Sequence, residues 1–139
     1  MIAEVIEKVK ARLREKEGLM LKPYKCPTGH LTIGYGRNLE ARGISIKDAE
    51  FMLAEDVAAA IGDLRRVLPK FETYSEERQV ALIDMMFNLG VGAFLEFVRM
   101  IAAIEAGDWE EAARQVLASK YAKQVGPRAV EVSQMLKGG

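Results

Sequence analysis

Apolar residues recur at helical spacing at the start of the chain, where Ile2, Val5, Ile6, Val9 and Leu13 share one face and Glu, Lys and Arg fill the other. An amphipathic helix is predicted over Ile2 to Lys16. Gly18 follows Glu17 and suits the backbone turn that ends a helix, so Glu17 is expected near the helix C-terminus. Between Lys22 and Leu39 the rhythm changes. Tyr24, Leu31, Thr32, Ile33 and Tyr35 favour extended backbone, while Pro23, Pro27, Gly29, Gly34 and Gly36 punctuate it, which predicts one or two small hairpins. The run Cys26-Pro27-Thr28-Gly29-His30 carries turn chemistry. Cys26 is therefore expected at a loop shoulder and Thr32 on the returning strand, both able to face one cleft.

Beyond Gly43 the pattern is helical to the end. Ser45-Ile46-Lys47-Asp48 has the order of a capping box and predicts a helix over Ile46 to Arg66. Pro69 and the Thr73-Tyr74-Ser75 stretch interrupt it. Val80, Leu82, Ile83, Met86 and Phe87 then form a broad apolar surface ahead of Gly90 and Gly92, which makes this helix the expected buried centre. Further helices are predicted over Ala93 to Ala106, Trp109 to Ala118 and Arg128 to Leu136, separated by Gly107-Asp108 and Gly126-Pro127, with Asp108 as a cap. The fold class is α+β: mostly helical, with a small antiparallel sheet near the N-terminus and no strand alternation that would give a parallel sheet. One domain over 1–139 is expected, its small β lobe at 22–39 and its helical lobe formed by 1–17 and 45–139.

Composition narrows the function classes. Half of the 139 residues are hydrophobic and 29% are charged, a globular mixture. Lys and Arg number 20 against 20 Asp and Glu, so no bulk positive field holds nucleic acid, and no nucleic-acid partner is expected. With one cysteine, Cys26, and one histidine, His30, an intramolecular disulfide is impossible and no metal site is expected. The methionines at 20, 52, 85, 86, 100 and 135 read as packing, Trp109 as a core anchor and His30 as a turn residue without catalytic duty. The acidic N-terminus lacks the pattern of a secretion signal, and no uncharged apolar run approaches the roughly 18 residues of a spanning helix. The expectation is a chain that starts in the cytoplasm without stable membrane insertion.

The informative stretch runs from Glu17 to Gly36. Its Glu17-Gly18-x-x-Leu21-x-x-Tyr24 opening, its Gly29-x-x-Thr32-Ile33-Gly34-Tyr35-Gly36 close and the spacing between them resemble the phage-type lysozymes, glycoside hydrolase family 24. In that family the catalytic group is a Glu, eight residues, an Asp or in some members a Cys, five residues, and a Thr. Glu17, Cys26 and Thr32 have this spacing. Phe87-Asn88-Leu89-Gly90 resembles the end of the family's central helix, and Gly126-Pro127-Arg128-Ala129 its later Arg-bearing turn, so the resemblance covers most of the chain. The segment between Gly36 and Ser45 is shorter than in the longest members, and the chain stops soon after Leu136, both of which bear on how much glycan is held.

The resemblance implies a peptidoglycan muramidase that hydrolyses the β-1,4 bond between N-acetylmuramic acid and N-acetylglucosamine without a cofactor. Cleavage needs a proton for the leaving oxygen and a second group that handles water or attacks the sugar. Glu17 is expected to be the acid. A glutamate ordinarily titrates near ~4.3, so partial burial or the negative end of a helix is needed to keep it protonated. Arg128 is the family-matched residue expected to contact and orient that carboxyl. Cys26 has two open roles: with Thr32 it positions a water for inversion, or its thiolate attacks the anomeric carbon with retention. Thr32, whose hydroxyl both donates and accepts, is a supporting residue; Leu31, Phe87 and Gly90 complete the expected substrate-binding or supporting set. The expected protein is a monomeric endolysin that acts on glycan strands and reaches the wall at lysis with the help of a holin-like release protein. Its rivals are a transglycosylase making an anhydro product, a non-catalytic wall-binding or adaptor protein on the same scaffold, and a structural helical bundle.

Overall fold

The computed structural model describes residues 1–139, which form two compact units, Met1–Glu50 and Phe51–Gly139. The first unit opens with α1 (Ile2–Glu17), closed by Gly18 at φ 70°, whose N–H donates to the Arg14 carbonyl. The chain then forms a three-stranded antiparallel sheet in the order β1 (Met20–Lys25), β2 (Leu31–Gly34) and β3 (Arg37–Asn38). Thr32 pairs with Tyr24 on one side and with Asn38 on the other, so it occupies the central strand. The register of β1 against β2 shifts between Met20 and Tyr24. Pro23 lies in that interval and has no N–H to give a ladder, which confines it to an edge strand such as β1. A short helix, α2 (Leu39–Arg42), follows, with the Asn38 side chain accepting from the Ala41 N–H.

Helix α3 (Ile46–Val67) starts where the Ser45 hydroxyl accepts from the Asp48 N–H, the cap that the sequence predicts. After a 3-10 turn at Phe71–Thr73 comes α4 (Glu76–Leu95), capped by Ser75 and broken at Gly90, whose φ of 79° and ψ of 164° are not helical. Next come α5 (Val98–Glu105), α6 (Trp109–Leu117), α7 (Lys120–Val125) and α8 (Pro127–Gly138). The mostly helical architecture with a small N-terminal sheet is the α+β class the sequence predicts. No single helix is long and apolar enough to cross a membrane.

The second unit holds the hydrophobic core. Ala81, Leu82, Met85, Met86 and Phe94 of α4 are buried, and Leu64, Leu68, Met100, Ile104, Val116, Val132 and Leu136 close around them. Helix α4 is thus the buried centre, although Val80 and Phe87 of its expected apolar surface are exposed. Trp109 is half-buried: the Tyr74 ring meets it edge-on at 4.9 Å, and the Arg78 guanidinium lies 4.3 Å from its ring centre. Arg78 also donates from Nε to the Leu136 carbonyl at 2.7 Å, tying α4 to α8.

Several sequence expectations need correction. The helix expected over Ala93 to Ala106 is two pieces: the tail of α4 reaches Leu95, and α5 begins at Val98 after Phe97 leaves helical geometry. Met20 and Met52 are exposed and do not serve as packing residues, unlike the buried Met85, Met86 and Met100. The apolar stripe of α1 forms as expected, but none of its side chains is buried.

Candidate functional site

Glu17 is the last residue of α1 and so belongs to the negative end of that helix. The carboxyl is exposed; of the two environments expected for an acid at this place, the helix end is present and the burial is not. It packs directly on Gly36. A methyl carbon built on Gly36 would lie 2.6 Å from Glu17 Oε2 and 3.0 Å from its carboxyl carbon, and Gly36 itself has φ 70°. Position 36 therefore favours glycine for its backbone, and a methyl there would displace the Glu17 carboxyl. This is the local reason for the final glycine of the Thr-Ile-Gly-Tyr-Gly run.

Cys26 stands at the turn between β1 and β2, half-buried, where the sequence places it. Its N–H donates to the His30 carbonyl at 3.0 Å, and its carbonyl accepts from the Gly29 N–H at 2.8 Å, closing the turn. The thiol and the Thr28 hydroxyl share a hydrogen bond of 3.1 Å. That bond, then backbone contact from His30, outweighs the opposing effect of burial; the Thr28 backbone adds a smaller contribution, and together these bring the thiol from 9.0 down to about 7. A thiolate is accordingly accessible near neutral pH.

Thr32 lies on β2 and is 4% exposed, one of two buried polar residues in the chain. Its hydroxyl donates to the His30 carbonyl at 2.9 Å, the same oxygen that accepts from Cys26. With its hydrogen committed there, the Thr32 oxygen faces any visitor as an acceptor. The structure thus joins Cys26 and Thr32 through one backbone carbonyl. Leu31 between them is exposed, and its N–H donates to Glu40 Oε1 at 3.2 Å.

The other expected residues lie in the second unit. Arg128, on α8, donates from Nε to Asp84 Oδ1 of α4 at 2.7 Å, an ion pair in which both partners are partly exposed. Phe87 and Gly90 line a cavity of about 230 Å³ together with Asp56, Asp63 and Met86. A larger cavity of about 660 Å³ is lined in part by Leu89, Phe97, Met100 and Tyr121, and the Tyr121 hydroxyl is buried without a hydrogen-bond partner. No group of three His, Cys, Asp or Glu side chains is arranged to hold a metal ion.

Residues 14–136 match the phage lysozyme family. The chain belongs to that family. Membership makes it a glycoside hydrolase, and the matched range includes the whole Glu17-to-Gly36 stretch. Among its relatives, the pre-baseplate central spike protein Gp5 of Enterobacteria phage T4 is 30% identical over 91% of this chain, which spans only 27% of that protein. An endolysin of Acyrthosiphon pisum secondary endosymbiont phage 1 is 28% identical, with 89% of this chain and 85% of the relative aligned. The protein named "Probable T4-type lysozyme 1" of Dictyostelium discoideum is 24% identical over 97% of this chain and 96% of its own length. Within this lysozyme architecture, two side chains beside the Cys26–Thr32 turn escaped the sequence reading: His30, taken there as a plain turn residue, and Glu40. His30 Nδ1 and Glu40 Oε2 are 3.0 Å apart. The carboxylate raises the imidazole above its ordinary 6.5, chiefly through this hydrogen bond, and the same bond lowers Glu40. Ten residues separate the pair in sequence, and no local motif signals it.

Proposed function

We propose that this chain is a peptidoglycan muramidase that hydrolyses the β-1,4 bond between N-acetylmuramic acid and N-acetylglucosamine, with Glu17 as general acid and Cys26 and Thr32 holding the attacking water. The observation that carries the reading is the shared His30 carbonyl, which fixes Cys26 and accepts the Thr32 hydrogen. A water between the two donates one hydrogen to Thr32 and one to the Cys26 thiolate, which leaves a lone pair for the anomeric carbon. Glu17 gives its proton to the leaving oxygen as the carbon–oxygen bond breaks; the water oxygen bonds to the carbon and its proton passes to Cys26. The product is inverted. In the second unit Phe87, Gly90 and Arg128, the last held by Asp84, are assigned to substrate support. The working protein is a monomer released from the cytoplasm at lysis by a holin-like partner.

A second reading is favoured by one observation, the thiol brought down to about 7: Cys26 attacks the anomeric carbon itself, and water later releases a product of retained configuration. Proton NMR of the first-formed product distinguishes inversion from retention. Cys26→Asp and Cys26→Ser test the ionisable group: active Asp with inactive Ser supports the water-holding role, whereas equal activity in wild type and both variants removes Cys26 from the site. A thiolate base contributes a limb of rate that rises with pH through about 7, because protonation below that value withdraws the acceptor. Permeabilised Gram-negative cells that clear neither with wild type nor with Glu17→Gln, while purified sacculi still pellet the protein, would instead identify a wall-binding adaptor.

A further inference from the structure

The His30–Leu31 peptide is gripped from both ends. Its carbonyl accepts from the Cys26 N–H at 3.0 Å and from the Thr32 hydroxyl at 2.9 Å. Its N–H, on the Leu31 side of the same planar unit, donates to Glu40 Oε1 at 3.2 Å. The second oxygen of that carboxylate, Oε2, lies 3.0 Å from His30 Nδ1. One side chain therefore holds both the peptide that orients Cys26 and Thr32 and the ring that flanks it. Glu40 is in turn fixed by α2, whose first turn is capped by Asn38, the residue paired with Thr32 across β2 and β3.

We propose that Glu40 is a positioning residue for Cys26 and Thr32, acting through the His30–Leu31 peptide, with the His30 imidazole as its second anchor. The inference rests on the reading of Cys26 and Thr32 as the pair that holds the attacking water. A peptide plane free to rock would move the acceptor shared by the Cys26 backbone N–H and the Thr32 hydroxyl, and displacements of about an ångström in reacting groups change rates on the order of a hundredfold. Both anchors are exposed, so their value lies in geometry and not in the strength of the ion pair. Other charged groups on the elements packed around the turn are Lys22 and Lys25 on β1, Arg37 on β3 and Arg42 on α2, and Arg37 is occupied by the Gly43 carbonyl.

The contrast between Glu40→Ala and Glu40→Gln separates positioning from simple electrostatics. Removing the Glu40 charge alone acts on Cys26 in two opposed ways, easing the thiolate directly and withdrawing the support that raises the neighbouring imidazolium, and it does so alike in Glu40→Gln and Glu40→Ala. Loosening the turn disperses the Thr28 and His30 contacts that favour the thiolate, which raises the titration midpoint of Cys26. Cys26 is the single cysteine, so its rate of alkylation by iodoacetamide against pH reads this midpoint in the intact chain, independently of hydrolysis. Glu40→Ala is expected to raise the midpoint by on the order of one pH unit and to lower kcat about tenfold with KM changed less than about twofold. Glu40→Gln, able to keep both contacts, is expected to stay within about half a pH unit of wild type and to restore most of kcat. A midpoint that is unmoved or lower in Glu40→Ala, or one raised equally in Glu40→Gln, overturns the proposal, as does a loss of kcat that merely follows a fall in melting temperature. If wild type shows no hydrolysis but the midpoint still rises in Glu40→Ala, the hydrolytic reading fails and the positioning of Cys26 stands.

Discussion

Residues 1–50 bury a single side chain, the polar Thr32, whereas every buried hydrophobic side chain of the protein lies in residues 51–139. The first unit is held by local devices: a glycine-closed helix, a three-stranded sheet, a capped turn of helix and the hydrogen bonds that converge on His30 and Glu40. The second is held by burial, with Leu64, Leu82, Met85, Phe94 and Ile104 each fully or almost fully enclosed. Acid, thiol and hydroxyl stand in the unit where little burial is at stake, so their geometry depends on backbone hydrogen bonds that any one substitution can loosen. Apolar packing, by contrast, tolerates change in proportion to the volume lost.

The contrast predicts which variants separate activity from stability. The largest effect is expected for Glu17→Gln, which removes the proton donor of an exposed residue: kcat falls by about 10²–10⁴, measured by release of reducing sugar, while the thermal midpoint stays that of wild type. A substantial fall in melting temperature for this variant would break the comparison. Phe94→Ala tests the other side, with an expected loss of about 3–5 kcal/mol in urea unfolding, since Phe94 is fully buried at the end of α4. Gly36→Ala is expected to lower kcat about a hundredfold by displacing the Glu17 carboxyl, with a smaller loss of stability from the strained backbone. The smallest effect is that of Asp108→Ala, which deletes the side-chain cap accepting from the Glu111 N–H on α6: about 1 kcal/mol of stability and no change in kcat.

The parts of this structure that sequence made legible are those written in local chemistry. Helices α1, α3, α6 and α8 fall within a residue or two of their predicted ends because each has a periodic face and a terminal signal: Gly18 after the first, Ser45 and Asp108 before the next two, and Pro127 opening the last. Helices α2 and α7 were not predicted. At four and six residues they are too short for an apolar period, although Asn38 and Ser119 cap them in the ordinary way. The break at Phe97 was missed because an apolar run reads alike in one helix or in two. In the site, turn chemistry after Cys26 and the extended-backbone preference of Leu31 to Ile33 located Cys26 at its turn and Thr32 on its strand. The His30–Glu40 pair was hidden because it depends on α2 carrying Glu40 back toward the hairpin, a three-dimensional return that no window of sequence displays.

The Thr32 hydroxyl has one further consequence, visible in heavy water. Its hydrogen already rests on the His30 carbonyl, so this group cannot relay a proton during turnover without breaking a bond that also steadies Cys26. Only the carboxyl of Glu17 and the incoming water then have hydrogens in flight. A proton inventory, with rate plotted against deuterium fraction, should curve as for at most two transferred hydrogens, and Thr32→Ser, which keeps the hydroxyl, should leave that curve unaltered.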